Sequence, residues 1–521
     1  MMKKSLLKTQ VLIIGGGVTG TGLARDLSLR GISCVLAEKK DLNAGASGGN
    51  HGLLHSGARY VASDPEAAKE CAKENELLKK LAPHCIEDTG GLYVAVKGDD
   101  ESYMADFPDM CARCGIDAKP IDIADAREME PLLSNQIIAA YSVKDASVDP
   151  FKISLENISD ARKLGAVWLP HTAVTSLITK RGRIQKAILK NTKSQKETIV
   201  ETEQVVNASG AWANEIASLA GIKIDMVFSK GSLIVTQNRI TDRVINRLRK
   251  PANGDILVPG GTVSILGTTS IRTESPDIIH PGIQEVETII REGSAMIPAL
   301  DSTRYIRAYC GVRPLVSSRK EKDDRNVTRG FSLLDHSGEG LENFITITGG
   351  KLTTYRLMAE KTADLVCKRL GETIPCTTRT TPLPETMDAR WTEPGSAPKM
   401  WIGNKNPEDL LICECEMVPK STVEAILSSM HTCPGSNSLT AIGLRSRIGK
   451  GQCQGTFCSL RLTSFLYDRE QFTDNSGLSE IKAFLRERWR GQRPLLWGTA
   501  LVQSELQEAL HCGLLGLELD A

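Results

Sequence analysis

Apolar positions in the first 370 residues gather into short runs that end in glycine or a carboxylate. Val11-Leu12-Ile13-Ile14 stops at Gly15, and the run from Ser33 stops at Glu38. A third run closes from Val205 to Gly210, and a fourth from Phe344 to Gly350. β-Branched and aliphatic stretches of this length predict parallel strands buried on both faces, with a ligand site at their carboxyl ends. Between them, Gly91 to Val96 and Val263 to Thr268 have the composition of antiparallel strands. The pattern predicts an α/β unit over residues 1–377 that is discontinuous in sequence. A sheet-rich domain is inserted in it at about 90–145 and 225–300. From Thr378 to Pro398 the chain is rich in Thr, Pro and Glu without periodicity, so residues 378–409 read as a linker. A compact unit over 410–465 and a helical tail over 466–521 follow.

The first run opens a more specific motif. Gly15-x-Gly17-x-x-Gly20 follows the strand directly, a helix is predicted from Val18 to about Leu29, and the next strand ends on Glu38. Gly15 permits the tight turn, Gly17 lets the backbone approach a pyrophosphate, and Gly20 lets helix and strand pack closely. The helix N-terminus supplies amides and a favourable dipole for the anion. Glu38 falls where a carboxylate would accept the adenosine ribose hydroxyls. The segments Val205 to Trp212 and Ile345 to Lys351 add two further glycine-bearing turns, which look like those of flavin-dependent oxidoreductases. A nicotinamide dehydrogenase would not need three such elements, so the cofactor is read as FAD. A helix predicted from Leu352 to about Lys368 would aim its N-terminus at the flavin ring. The positive end of its dipole would steady charge on the reduced pyrimidine edge.

Composition and charge narrow the picture from outside. A chain of 521 residues is too long for one core. A formal charge of +1 gives no electrostatic reason to expect nucleic acid. No apolar run approaches the ~20 residues of a bilayer span. The start, Met1-Met2-Lys3-Lys4-Ser5-Leu6-Leu7, is broken by Lys8-Thr9-Gln10 before a signal-peptide core develops. The expected location is cytoplasmic, with any membrane contact peripheral. Fourteen cysteines are many for that compartment. Most are scattered and read as small buried hydrophobes, and Cys111-x-x-Cys114 lacks the βαβ context of a redox motif.

Further motifs carry a family resemblance. Gly52-Leu53-Leu54-His55-Ser56-Gly57-Ala58-Arg59-Tyr60, Gly311-Val312-Arg313-Pro314-Leu315, Val327-Thr328-Arg329 and Gly349-Gly350-Lys351-Leu352-Thr353-Thr354-Tyr355-Arg356 resemble the flavin-dependent glycerol-3-phosphate dehydrogenases. With its C-terminal cysteines, the whole chain is most similar to the large (A) subunits of the anaerobic enzymes. The resemblance implies a Rossmann-like FAD-binding fold of the glutathione-reductase/D-amino-acid-oxidase type with an inserted antiparallel substrate domain. It implies FAD contacts from Gly15, Gly17, Gly20, Glu38, Ser47, Gly210, Gly349, Gly350, Lys351 and Leu352. The implied reaction oxidises sn-glycerol 3-phosphate to dihydroxyacetone phosphate.

The chemistry of the residues agrees. A phosphomonoester calls for converging cations, and guanidinium forks suit its oxygens. Arg59, Tyr60, Arg313, Arg329 and Lys351 are the candidate substrate-binding set. Either Arg313 or His55 would assist proton loss from the C2 hydroxyl. One departure stands out: aerobic relatives carry a histidine after a Lys-Gly-Ser segment, whereas Leu233 follows Lys230-Gly231-Ser232 here. Two other readings stay open. One is an oxidase of the same fold acting on a 2-hydroxy acid or D-amino acid, which would need one arginine for a carboxylate. The other is a relay protein whose FAD only passes electrons on.

Near the C-terminus, Cys413-x-Cys415 pairs with Cys453-x4-Cys458 across 37 intervening residues. Thiolates two apart can face one cluster, and Gly449, Gly451 and Gly455 would let amides approach the sulfurs. This spacing resembles the bacterioferritin-associated-ferredoxin-like [2Fe-2S] module. Zinc and free thiols are the rivals, and C-x-C counts mildly against zinc. As the resemblance implies, electrons would leave through two partner subunits, one flavin-bearing and one a membrane-anchoring iron–sulfur protein, to the quinone pool. That would attach the chain peripherally to the cytoplasmic face of the inner membrane. An FMN in such a complex would sit on the partner sooner than on this chain. In the tail, Ala483 to Trp489 and Pro494 to Trp497, beside Arg488, Arg490 and Arg493, read either as packing on the module's own core or as a partner-docking surface.

Overall fold

The computed structural model describes residues 5–277, 279–316, 330–430 and 438–517. Arg329, with Val327 and Thr328, lies outside the described residues. The elements that position the site are β1 (Ser5–Ile14), α1 (Val18–Leu29), β2 (Cys34–Ala37), β3 (Gly91–Val96), α2 (Pro150–Lys163), β4 (Glu197–Asn207), β5 (Met226–Thr236), β6 (Tyr305–Val316), β7 (Phe344–Gly349), α3 (Tyr355–Leu370), α4 (Ser476–Gln492) and α5 (Gly498–Leu515).

β1 is central to an eight-stranded sheet and pairs in parallel with β2 on one side and β4 on the other; β4 in turn pairs in parallel with β7. The register sets Ile14 opposite both Ala37 and Asn207, and Asn207 opposite Thr346. All four apolar runs therefore end on one edge. Burial on both faces explains why they read as continuous: Val11 and Ile13 enter the core beneath α1, α2 and α3, while Leu12 and Ile14 enter the core on the opposite face.

A second, nine-stranded sheet holds β3, β5 and β6 with shorter strands, and is antiparallel except where β3 meets Val244–Arg247. Its strands fall within 91–143 and 226–316. β6 pairs with β5 along nearly its whole length, setting Arg313 opposite Ser229. Cys111 and Cys114 are both buried in this domain's packing, as their lack of motif context suggested.

The C-terminal part departs from its expected boundaries. The stretch read as a linker buries Leu383, Ala389, Trp391 and Ala397 and forms short helices at Met387–Arg390 and Ser396–Asn404. It is a packed strap. Trp391 and Ala397 share a core with Ile412, Val423 and Leu462 of the cysteine unit and with Ile481, Phe484, Leu485 and Trp489 of the tail. Leu383 and Ala389 pack instead into cores of the first domain, so the strap bridges that domain and the shared core of module and tail. A buried ion pair, Arg445 Nη1 to Asp41 Oδ2 at 2.7 Å, also ties the module to the loop after β2. The docking reading of Ala483–Trp489 gives way to core packing: Arg488 stacks over Phe484 at 4.9 Å and donates to the Gly449 carbonyl at 2.7 Å. Leu495 is buried against the second sheet. The exposed apolar residues lie further on, at Trp497 and along α5 at Val502, Leu506, Leu510 and Leu514. Among the described residues no helix is long and apolar enough to cross a membrane.

Candidate active site

Backbone hydrogen bonds close the edge where the strands end. Gly15 N–H donates to the Ala37 carbonyl at 2.9 Å, and Ala208 N–H to that of Ile14 at 2.8 Å. Gly15 has φ +118°, and a Cβ there would stand 2.5 Å from the Ala208 oxygen; one at Gly20 would stand 1.9 Å from the Gly15 oxygen. Only glycine fits either position. Glu38 accepts from the amides of Gly16 and Lys40, each at 2.7 Å. Burial pushes its carboxyl above the usual range, and the two amides pull against that shift. Ser47 Oγ accepts from Val18 N–H at 3.0 Å, and a Cβ on Gly17 would come within 3.0 Å of that same oxygen. One cavity of ≈840 Å³ is lined by Gly15, Gly17, Glu38, Ser47 and Gly210, and equally by Gly349, Gly350, Lys351 and Leu352. Gly20 packs behind it. A cradle that a single Cβ would fill, with a helix N-terminus and the Glu38 carboxylate on its lining, fits FAD.

The same cavity is lined by His51, His55, Arg59, Tyr60 and Arg313. Arg313 projects from β6 across β5. Its Nη2 donates to Thr268 Oγ1 at 2.9 Å and its Nη1 to the Thr269 carbonyl at 3.1 Å. Gly231 on β5 makes room, since a Cβ there would stand 2.6 Å from Nη2. Lys351 Nζ sits 4.4 Å over the Tyr60 ring, and the Tyr60 hydroxyl lies 3.3 Å from His55 Nε2. His55 is anchored from behind, its backbone N–H donating to Thr353 Oγ1 at 3.0 Å. Arg59 also reaches the cavity but is shared with the buried Asp255 at 3.3 Å, which pairs with Arg249 as well. Leu233, standing where aerobic relatives carry histidine, is buried and lines the cavity without a titratable group.

The surroundings of both histidines favour the uncharged ring. Burial, then His51, Arg59 and Lys351, hold His55 well below its ordinary value. Burial, with Arg313 and Arg59, takes His51 down to about 3. Sequence reasoning missed His51; only its place four residues before His55 could have marked it. The rings of the two are 6.1 Å apart, edge to face.

The four C-terminal cysteines meet as two thiol–thiol contacts, Cys413 with Cys458 and Cys415 with Cys453. The Gly449 amide faces both Cys413 and Cys458, the Glu416 amide faces Cys413, and the Cys453 amide faces Cys415. Among the described residues, no three or more His, Cys, Asp or Glu side chains are gathered so as to hold a metal ion. The thiols form two pairs and not one closed cage. A sulfur-only donor set in two pairs, with amides directed at sulfur, suits a binuclear cluster bound by four thiolates.

Comparison with known proteins bears on both regions. Residues 10–365 match the family model of FAD dependent oxidoreductases. The chain is 41% identical to the A subunit of the anaerobic glycerol-3-phosphate dehydrogenase of Escherichia coli K12, over 99% of each chain. It is 41% identical to that of Haemophilus influenzae over 98% of this chain and 94% of the other. Among solved structures, the glycerol-3-phosphate dehydrogenase of Bacillus halodurans complexed with FAD is similar in fold. It has a TM-score of 0.66 at 19% identity, over 94% of this chain and 96% of that one. The L-proline dehydrogenase of P. horikoshii gives 0.59 at 22% identity, over 71% and 96%.

Proposed function

Because this chain belongs to the FAD-dependent oxidoreductases, and among them to the A subunits of anaerobic glycerol-3-phosphate dehydrogenase, we propose that it oxidises sn-glycerol 3-phosphate to dihydroxyacetone phosphate and exports the electrons through an iron–sulfur centre. The observation that carries the reading is the cavity in which Arg313, Lys351 and a neutral His55 meet beside the Gly349-Gly350 turn. Bound FAD supplies a two-electron acceptor. The chain's own residues do the rest. Arg313 and Lys351 receive the phosphate, with Arg59 and Arg329 as further cations, and the Tyr60 ring fixes Lys351. His55, neutral and hydrogen-bonded to Tyr60, takes the proton of the C2 hydroxyl. Arg313 is not that base, because a guanidinium keeps its proton throughout.

Cys413, Cys415, Cys453 and Cys458 would hold a [2Fe-2S] cluster, which accepts one electron at a time. The Escherichia coli and Haemophilus influenzae relatives are each named as one subunit of their enzyme, which implies other subunits. We assign two of these. One is flavin-bearing and carries any FMN; the other is a membrane-anchoring iron–sulfur protein that delivers electrons to quinone. The apolar stripe on α5 offers a surface for such a contact. In this scheme the chain works at the cytoplasmic face of the inner membrane, held there by its partners. Turnover with an artificial acceptor should proceed with glycerol 3-phosphate and fail with D-amino acids or 2-hydroxy acids. Equal rates with a carboxylate substrate would overturn the assignment.

A further inference from the structure

His51 and His55 line one cavity but are wired differently. The Leu53 backbone N–H donates to His51 Nδ1 at 3.2 Å. An amide can only donate, so Nδ1 offers its lone pair and the neutral ring carries its proton on Nε2. Among the described residues nothing pairs with that Nε2. The nearby charges are Arg313 and Arg59, which oppose a second proton on the ring. The result is a fixed N–H donor, with no basic lone pair to offer, set among the groups that receive the phosphate and the C2 hydroxyl.

We propose that His51 is a catalytic hydrogen-bond donor to the C2 oxygen of the substrate, and not the group that removes its proton. The assignment rests on the oxidation proposed above. In that step the hydrogen on C2 would leave with the electron pair of its bond, as hydride, for which bound FAD would be the acceptor. The O–H bond breaks and its proton passes to His55, while C2 and oxygen form a carbonyl. Oxygen carries more negative charge in the transition state than in the alcohol. A preorganised neutral donor stabilises that charge selectively. A cationic imidazolium would instead hinder loss of the hydroxyl proton to its neighbour.

Two substitutions separate donor from base. Glutamine can place an amide N–H where imidazole Nε2 stands, whereas asparagine reaches only the Nδ1 position. FAD content is read first from the visible spectrum, and anaerobic flavin reduction by glycerol 3-phosphate is then followed by stopped flow across pH. His51→Gln should reduce its flavin within about tenfold of the wild-type rate, and His51→Asn ~100-fold more slowly, the usual cost of losing one such donor. Substrate Kd and the pH profile should be unchanged in both. Equal losses in both variants, with a limb of the pH profile gone, would make His51 the base and overturn the proposal. Wild-type rates in both, or loss of FAD from both, would overturn it as well. A wild-type flavin that glycerol 3-phosphate does not bleach would instead remove the underlying reading, which distinguishes the two failures.

Discussion

The nucleotide edge and the cysteine pairs are both crowded around glycines, yet different forces hold them in shape. At the nucleotide edge, bonds from Gly15 to Ala37 and from Ala208 to Ile14 tie three strand ends together, and two separate cores lie beneath them. That geometry is complete in the protein alone. At the cysteines, Gly449 and Gly455 close on the Phe484 ring, and the sulfurs touch in two pairs. Backbone and core bring these thiols together in pairs, without strand-to-strand hydrogen bonds among the described residues to tie one pair to the other. The first site is shaped by strand ends that bond to one another; the second brings together a strand end at Cys413, a helix start at Cys458 and turns at Cys415 and Cys453.

The largest effect expected from this contrast is at the first region. Gly17→Val should abolish FAD retention, because its side chain would fill the gap between the α1 N-terminus and Ser47 Oγ. Absorbance of the purified variant checks this, and a full complement of FAD would break the comparison. Replacing both Cys415 and Cys453 with Ser should have the opposite character. Iron and sulfide should disappear from elemental analysis and electron transfer to quinone from the assembled complex should fail, while substrate still bleaches the flavin. Loss of FAD in that variant would show that the regions are not separable.

Arg313→Ala sharpens the comparison inside the first region. It should leave FAD bound yet lower kcat/KM for glycerol 3-phosphate at least ~100-fold, since a charge-assisted contact that also orients the reacting carbon is removed. An unchanged preference for glycerol 3-phosphate over glycerol would contradict the role. The last effect falls on stability and not on turnover, and concerns the seam between the regions. Asp41→Ala leaves Arg445 buried without its carboxylate, at a cost of ~3–5 kcal/mol to denaturant unfolding. Burial opposes the Asp41 charge, but Arg445 outweighs it and the carboxyl lies below its ordinary value. The contribution of this pair is therefore present above the normal carboxylate range. It is lost as pH falls through the depressed value, which urea titrations at stepped pH would follow.

Much of the first region was legible because its determinants are local. Gly15, Gly17, Gly20 and Glu38 lie within a single strand–helix–strand unit, and the ends of β1, β2, β4 and β7 each carry their own punctuation. His51 was not legible, because its tautomer depends on a backbone amide two residues away that no spacing rule marks. The sharing of Arg59 with Asp255 joins positions 196 apart and left no local trace. The packed strap at 378–409 misled by composition. Its Thr, Pro and Glu lack periodicity because it is irregular chain, yet Leu383 and Trp391 still anchor it. The tail misled in another way, since a Leu- and Trp-rich helix looks the same whether it faces a partner or its own core. Truncation after Glu480 would remove Ile481, Phe484, Leu485 and Trp489 from that core, and so would test folding more than docking.

The central claim is that one chain both oxidises glycerol 3-phosphate at FAD and carries the next electron acceptor on its four cysteines. An anaerobic titration of the purified protein with glycerol 3-phosphate, followed by visible absorbance and electron paramagnetic resonance together, tests both halves at once. The account predicts that the flavin band bleaches and that a reduced [2Fe-2S] signal grows with it, dependent on Cys413, Cys415, Cys453 and Cys458. A flavin that stays oxidised under excess substrate, or one that bleaches in a protein without iron, would contradict it.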